Sequence, residues 1–176
     1  MFRSIRFVLP FILIIAFAAS FQSQERSSDF KEVAVSGSLA ELRDKRRVWL
    51  IVRRSALLDA SGEDQSILSE VYREGNTRQT FPRTYNLIAK KLNKYMKEHR
   101  SISAASSLGE AEFVIFFNVL EIRRPLGTPY AYGEMFVILN ERSRPRILWK
   151  TRSSGMFVDD AIDQLLSDLK DARGEK

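Results

Sequence analysis

The sequence predicts a two-layer α+β fold with elements in the order β-α-β-β-β-α and a mixed sheet. Residues Ala111–Arg123 alternate in a way that leaves both faces of a strand apolar, which is typical of a central strand covered on both sides. Two more strands follow it after short turns, which favours an antiparallel three-stranded meander. Amphipathic segments at Arg83–His99 and Asp159–Ala172 predict helices that pack on the sheet.

The first twenty residues have the pattern of a secretory signal peptide. Arg3 and Arg6 precede an apolar run over Phe7–Ala19, and small residues between Ala18 and Ser20 suit cleavage by signal peptidase. The run is shorter than the ~20 residues that a membrane-spanning helix needs. We therefore expect an exported protein, periplasmic or extracellular in a bacterium, that is cleaved near Ala18 to Ser20. An uncleaved amino-terminal anchor is the alternative.

The remaining chain has the composition of one globular domain. Residues 21–37 are expected to form a flexible leader, and residues 38–173 a single domain. The chain contains no cysteine, which excludes disulfides, thiolate metal sites and the lipid-bearing cysteine of a bacterial lipoprotein. The formal net charge of +6 is a mild excess, for which a solvated basic surface is the simplest explanation.

The elements before the meander follow from local patterns. Arg47–Arg53 is a short β-branched and aromatic run and predicts a buried strand. Ser38–Lys45, before it, predicts a short helical turn. Ser61 and Asp64 resemble a capping box and predict a short helix over Gly62–Arg73.

The meander is predicted from its turns and its alternation. A short edge strand is expected around Ile102, before the central strand. Within that strand Phe113 and Val119 are expected on one face, and Phe116 and Ile122 on the other. The next strands are predicted over Tyr130–Leu139 and Arg146–Arg152.

This order of elements resembles the domain of the curli-secretion-channel protein family, of the amino-terminal part of the Tol–Pal translocation protein B, and of uncharacterised bacterial envelope lipoproteins. The strand at Val48–Val52, the helix at Arg83–His99, the strand that opens at Ala111, the hairpin that ends at Lys150 and the closing helix carry the resemblance. It implies an accessory or scaffold role in the cell envelope rather than catalysis. The chain differs in lacking a lipid-bearing cysteine and in having Arg53-Arg54-Ser55 where a Pro-Phe step is common.

Residues of catalytic type form no recognisable motif. His99, the one histidine, ends a lysine-rich helix, where the helix dipole favours it. Asp159, Asp160 and Asp163 lie in or near the first turn of the last helix, where carboxylates are equally favoured, and no calcium loop surrounds them. We therefore expect no enzymatic activity, no cofactor and no metal site.

Basic residues follow three of the predicted strands. In a meander the third strand runs in the same direction as the first, so both end at one edge of the sheet. If the first strand of the domain also runs that way, all three ends contribute to one patch. The predicted partner-binding residues are Arg53, Arg54, Arg123, Arg124, Tyr130, Lys150 and Arg152, with Tyr132 nearby. Such a patch would suit phosphate, lipid head groups or an acidic protein; ordinary solvated charge at strand ends is the alternative.

These observations predict an exported, non-enzymatic accessory protein of the cell envelope that acts through protein–protein contact. The expected partner is another envelope protein, with anionic lipid or a membrane surface as a further candidate. Export argues against nucleic acid. The many aromatic residues of the meander leave one alternative open, an exported binder of lipid or another small apolar ligand with a cavity beneath the meander.

Overall fold

The computed structural model describes residues 35–54, 64–72, 81–124, 128–141, 144–153 and 155–175. The predicted signal peptide, residues 21–34 of the predicted leader, and Ser61 of the predicted capping box lie outside these ranges. The predicted α+β class is confirmed, since helices pack against a mixed six-stranded sheet. Within the described ranges no helix has the length and apolarity needed to cross a membrane.

The sheet combines parallel and antiparallel pairs. Its strands are β1 (Arg47–Arg53), β2 (Ser103–Ala104), β3 (Phe113–Arg123), β4 (Tyr130–Leu139), β5 (Arg146–Lys150) and β6 (Met156–Phe157). The spatial order is β2-β1-β3-β4-β5, and β6 pairs with the beginning of β4. β1 is parallel to β2 and β3, whereas β3, β4 and β5 form the expected antiparallel meander.

In the described part of the chain, three α-helices cover this sheet. They are α1 (Asp64–Tyr72), α2 (Pro82–His99) and α3 (Val158–Arg173). The first two lie in the crossover between β1 and β3, which a parallel pair requires. The predicted short helix after the first strand is thus confirmed as α1. Pro82 opens α2, where a missing N–H costs no hydrogen bond, and Arg100 ends it in a left-handed conformation (φ 52°).

The first face of the sheet is covered by α2, α3 and a 3₁₀ turn at Leu39–Leu42. Phe113, Ile115 and Phe117 of β3 are fully buried there. The turn is held by a capping box, in which the Ser38 hydroxyl accepts from the Ala40 N–H and Glu41 accepts from the Ser38 N–H. This face forms the larger of the two cores.

The second face is covered by α1. Ile67 and Val71 of this helix pack against Val114, Phe116 and other apolar residues of the sheet. Because both of its faces are covered, β3 is the central strand that its apolar sequence predicts.

A β-bulge changes the alternation of β3 near its end. Val119 pairs with Gly133, and Glu121 with Tyr132, so Leu120 is the extra residue. Ile122 then lies opposite Ala131, whose side chain belongs to the first-face core. The prediction that Ile122 shares a face with Phe116 is therefore wrong, because the inserted residue reverses the phase of everything after it.

The folded part begins before residue 38. The Ser36 N–H donates to the carbonyl oxygen of Ile147 at 2.9 Å, and Glu41 accepts a hydrogen bond from Arg146 at 2.7 Å. Ser36, near the end of the predicted leader, is thus hydrogen-bonded to β5 and belongs to the folded part of the chain.

Candidate functional site

The hairpin of β3 and β4 extends beyond β1 on one side and beyond β5 on the other, where the short strand β6 pairs with the beginning of β4. β1 ends with Arg53 opposite Asn118, whereas β3 continues to Arg123. On the other side, β5 ends with Lys150 opposite Phe136. We call the projecting part, residues 119–123 and 130–133, the β3–β4 ribbon. The register with β4 places four paired positions, from Glu134 to Tyr130, between the level of Arg53 and that of Arg123, or about 13 Å at ~3.3 Å per residue.

Aromatic rings and an arginine lie together on one side of this ribbon. The guanidinium carbon of Arg123 lies 3.4 Å from the centre of the Tyr132 ring, a cation–π geometry. Tyr130 and Tyr132 both meet the ring of Phe157 edge-on, with ring centres 6.5 and 5.6 Å apart. Glu121 forms an ion pair with Arg123. We call Arg123, Tyr130, Tyr132 and Phe157 the ribbon cluster.

Strand β6 fixes the ribbon cluster from one side. Tyr132 pairs with Phe157, and Gly133 with Met156. Gly155, which precedes this strand, has φ +121°, and a Cβ there would lie 2.4 Å from a carbon of the Tyr132 ring. Only glycine suits both the backbone angle and the space. The Tyr132 ring therefore packs directly against the backbone of Gly155.

The ribbon cluster remains accessible to a partner. Tyr130 is 36% exposed, and the Arg123 side chain is 45% exposed. Arg124, the next residue, is also exposed, as is Ile122 on the other side of the ribbon. The site therefore offers exposed aromatic, aliphatic and cationic groups on a supported backbone.

Arg53 lies elsewhere, on the second face against α1. Its guanidinium donates to the carbonyl oxygen of Glu70 at 2.8 Å and lies 3.6 Å from that residue's carboxylate. Side-chain exposure is 12% for Arg53 and 2% for Glu70. Arg53 therefore joins β1 to α1, while Arg54, the next residue, is exposed.

The basic residues at the end of β5, Lys150 and Arg152, lie at a third level along the strand direction. Lys150, half-buried, faces Phe136 across the strand pair. Arg152 donates to Asp168 of α3 at 3.0 Å, and Trp149 donates to the other oxygen of the same carboxylate at 2.9 Å. These residues connect β5 to α3.

The three basic strand ends point in the same direction, because β1, β3 and β5 are mutually parallel in sense. Their different lengths nevertheless place the six cations at three levels. Of the residues that the sequence singled out, Arg123, Arg124, Tyr130 and the nearby Tyr132 come together. The contributions of Gly155 and Phe157 could not be predicted, because a two-residue strand has no periodicity to detect.

The histidine takes part in a network near the end of the described chain. Its ring centre lies 4.6 Å from that of Tyr95, and its Nδ1 lies 3.6 Å from the carboxylate of Glu175. Tyr95 donates to this carboxylate, and Arg173 donates to its other oxygen at 3.0 Å. Burial acts to raise the pKa of Glu175, but favourable interactions with Ser101, Tyr95 and Arg173 outweigh it and lower the pKa. His99 therefore packs within a structural contact between α2 and the residues after α3.

The three aspartates at the start of α3 divide between an ion pair and solvent. Lys91 of α2 lies 3.0 Å from Asp159 and 2.8 Å from Asp163, while Asp160 is exposed. Among the residues that the structure describes, no group of three or more metal-ligating side chains converges.

An open depression of about 640 Å³ lies at the opposite end of the sheet. Tyr72 donates to Asn140 at 2.6 Å within it, and burial raises the pKa of Tyr72. The backbone N–H groups of Arg46 and Arg47 each donate to Glu112 at 2.9 Å, which lowers its pKa despite partial burial. These polar groups are bonded to the chain itself and close the edge where β1 and β3 begin.

No protein-family model and no curated protein matches the chain. Among solved structures, a dodecameric PelC variant from Paraburkholderia phytofirmans is similar over 74% of this chain and 87% of that chain, with 15% sequence identity and a TM-score of 0.32. A similarity this low carries no inference about this chain. The resemblance to the curli-secretion-channel family stays a prediction.

Proposed function

We propose that the protein is an exported, non-enzymatic accessory protein of the cell envelope that binds another envelope protein through the β3–β4 ribbon. The observation that carries this proposal is the ribbon cluster, an arginine and aromatic rings held on a hairpin that projects past its neighbouring strands. Tyrosine and arginine are over-represented among residues that dominate protein–protein binding energy.

The rigidity of the ribbon cluster favours binding. A side chain that is already held in place loses little conformational entropy when a partner covers it. The Tyr132 ring lies between Gly155, Phe157 and the guanidinium of Arg123. Tyr130 then presents an aromatic surface beside exposed Arg124, so the best-suited partner surface is apolar with an acidic border.

The residues of catalytic type have structural roles that are consistent with a non-enzymatic protein. His99 packs on Tyr95 beside Glu175, and Asp159 and Asp163 hold Lys91. These groups are engaged in joining α2 to the end of the chain, and they lie on the first face of the sheet, away from the ribbon cluster.

Site-specific photocrosslinking in the native host tests the proposal. A photoreactive phenylalanine analogue replaces Tyr130 in the full chain, and the envelope fraction is then irradiated. Tyr72 supplies the matched control, because it is also an exposed tyrosine (40%) but lies near the opposite end of β4, bonded to Asn140. We expect one adduct of defined mass from position 130 and none from position 72.

Charge reversal supplies a second measurement on the same adduct. Arg123→Glu with Arg124→Glu is expected to abolish crosslinking from position 130, since it removes both cations of the ribbon end. The same change at Arg43, before β1, and at Arg144, between β4 and β5, is expected to leave it intact, because both residues are exposed and lie outside the ribbon. Equal adducts from positions 130 and 72, or recovery of the protein in the cytosol, would overturn the proposal.

The alternative function, an exported binder of lipid or another apolar ligand, requires a cavity beneath the meander. There the side chains of Phe116, Phe136 and Ile138 are buried against Ile67 and Val71 of α1. The described residues thus fill that space, and the ribbon remains the better-supported site.

A further inference from the structure

The outer side of α2 carries a one-sided arrangement of charge. Thr84, Ile88, Leu92 and Tyr95 form the buried stripe of this helix. With ~100° between successive residues, the opposite side is formed by Arg83, Lys90, Lys94 and Lys97, all of which are exposed. We call these four residues the α2 basic face.

Within α2 itself, which the structure describes in full, a single carboxylate balances this face. Glu98, the only acidic residue of α2, lies 3.8 Å from Lys94. The remaining cation of the helix, Lys91, turns toward α3 and is held there by two aspartates. Four cations against one carboxylate leave +3 on the face, half of the chain's formal net charge of +6.

Lys97 lies in the last turn of α2, where the helix dipole favours a cation, but the rest of this arrangement does not serve the stability of the helix. Lys90 and Lys94 are four residues apart and Lys94 and Lys97 three apart, so like charges are neighbours on the helix surface and repel each other. Arg83 lies in the first turn, which contains no acidic residue, although the positive end of the helix dipole disfavours a cation there. The repulsion between these neighbouring cations is one that an external anionic surface would relieve.

We infer that the α2 basic face binds the anionic surface of a lipid bilayer. The four side chains lie along the exposed side of α2 over fourteen residue steps, or about 20 Å, and three of them border an open depression there. This elongated row of cations suits an extended anionic surface better than a single bound ion. Three of the four are lysines, whose long flexible stems bring ammonium groups to a common plane, whereas bidentate recognition of a single phosphate favours arginine. Clustered lysines of this kind are attracted to anionic lipid head groups.

This binding is independent of the proposed partner contact and compatible with it. α2 covers the first face of the sheet, whereas the Tyr132 and Tyr130 side chains alternate onto the second face with Phe136. A domain that lies on a bilayer through α2 therefore keeps the ribbon cluster on the side away from the lipid.

Vesicle flotation with the full chain tests the inference. Binding is compared between vesicles of phosphatidylcholine alone and vesicles that also contain phosphatidylglycerol. The apolar amino-terminal run is present in every variant and can bind both kinds of vesicle, so the ratio of the two binding constants reports the effect of lipid charge. The test variant is Lys90→Gln, Lys94→Gln, Lys97→Gln. The matched control is Arg43→Gln, Arg46→Gln, Arg144→Gln, which removes the same charge from exposed sites elsewhere. Unchanged thermal unfolding shows that both variants fold.

We expect the wild-type and control proteins to prefer the phosphatidylglycerol vesicles. The α2 variant should lose about a hundredfold of that preference, because each of its three missing charges contributes about 1 kcal/mol, or about fivefold in affinity. Added salt should weaken the wild-type preference. An equal loss in both variants would assign the effect to net charge alone and overturn the inference. A wild-type protein without preference for phosphatidylglycerol, or one that binds a soluble acidic polysaccharide but not the vesicles, would also overturn it.

Discussion

Substitution of Gly133 by alanine is expected to separate the two strands of the ribbon at its base. A Cβ at this position would lie 2.0 Å from the carbonyl oxygen of Asn118 and 3.1 Å from the ring of Phe117. Contacts of a Cβ below 3.0 Å essentially do not occur, so the backbone must shift by about 1 Å. The fully buried Phe117 ring leaves the strand no room to move toward the first-face core.

The cost of this shift follows from what it disrupts. Two strand-to-strand hydrogen bonds beside the bulge contribute about 1 kcal/mol each, and overpacking adds about 1–3 kcal/mol. We therefore expect Gly133→Ala to lower the free energy of unfolding by about 3–5 kcal/mol, a large part of the ~5–15 kcal/mol of a typical domain.

Denaturant titration followed by circular dichroism measures this change. Gly109→Ala is the matched control, because the nearest atom to a Cβ there, the hydroxyl oxygen of Ser107, is 4.0 Å away. The control should be neutral or slightly stabilising, since alanine restricts the unfolded chain. Equal unfolding midpoints for the two variants would refute the proposed collision and, with it, the bulge geometry at the base of the ribbon.

Three further changes test the rest of the fold. Phe136→Ala empties a fully buried ring site on the second face and should cost about 3–5 kcal/mol in the same titration. Glu175→Gln should destabilise the domain at pH 7; because folding lowers the pKa of Glu175 below 4.5, the stabilisation is present above that value and is lost as the pH falls through the lowered pKa. The gap between wild type and variant, measured by thermal unfolding, should therefore narrow in acid, and a constant gap would contradict the lowered pKa. Lys91→Met removes a partly exposed bridge from α2 to α3 and should cost about 0.5–1 kcal/mol, less at high salt.

The main elements could be predicted from the sequence because each has a strong local signal. The alternation of β3, the apolar stripe of α2 and the run of β1 specify period and length, and the observed bounds agree within two residues. The parallel pairing of β1 with β3 follows from the helices between them. Even α1 was predictable, although its apolar spacing covers only nine residues.

The parts that escaped prediction depend on register rather than on period. The bulge at Leu120 reverses the faces of the sheet on which Ile122 and Arg123 lie. No residue in this part of the sequence is of a type that predicts a bulge. The stagger of the strand ends depends on where each strand stops pairing, which separates Arg53 from Arg123 along β3. The ribbon cluster depends on the register between strands that are distant in sequence, so it can be recognised only when the strand pairing is known. The α2 basic face, in contrast, follows from helical spacing alone.

Arg173 also bears on the order in which the chain folds. Its side chain is 5% exposed and donates to the carbonyl oxygens of Leu42, Lys45 and Ser101. These partners precede it by 131, 128 and 72 residues. The carbonyl groups of Leu42, Lys45 and Ser101 therefore lack these hydrogen bonds until α3 has folded against them. Contacts over such separations form slowly. A nascent chain that lacks this helix is thus kept from completing its tertiary structure, and such a delay would suit the export that we propose, because an exported chain crosses the membrane before it folds.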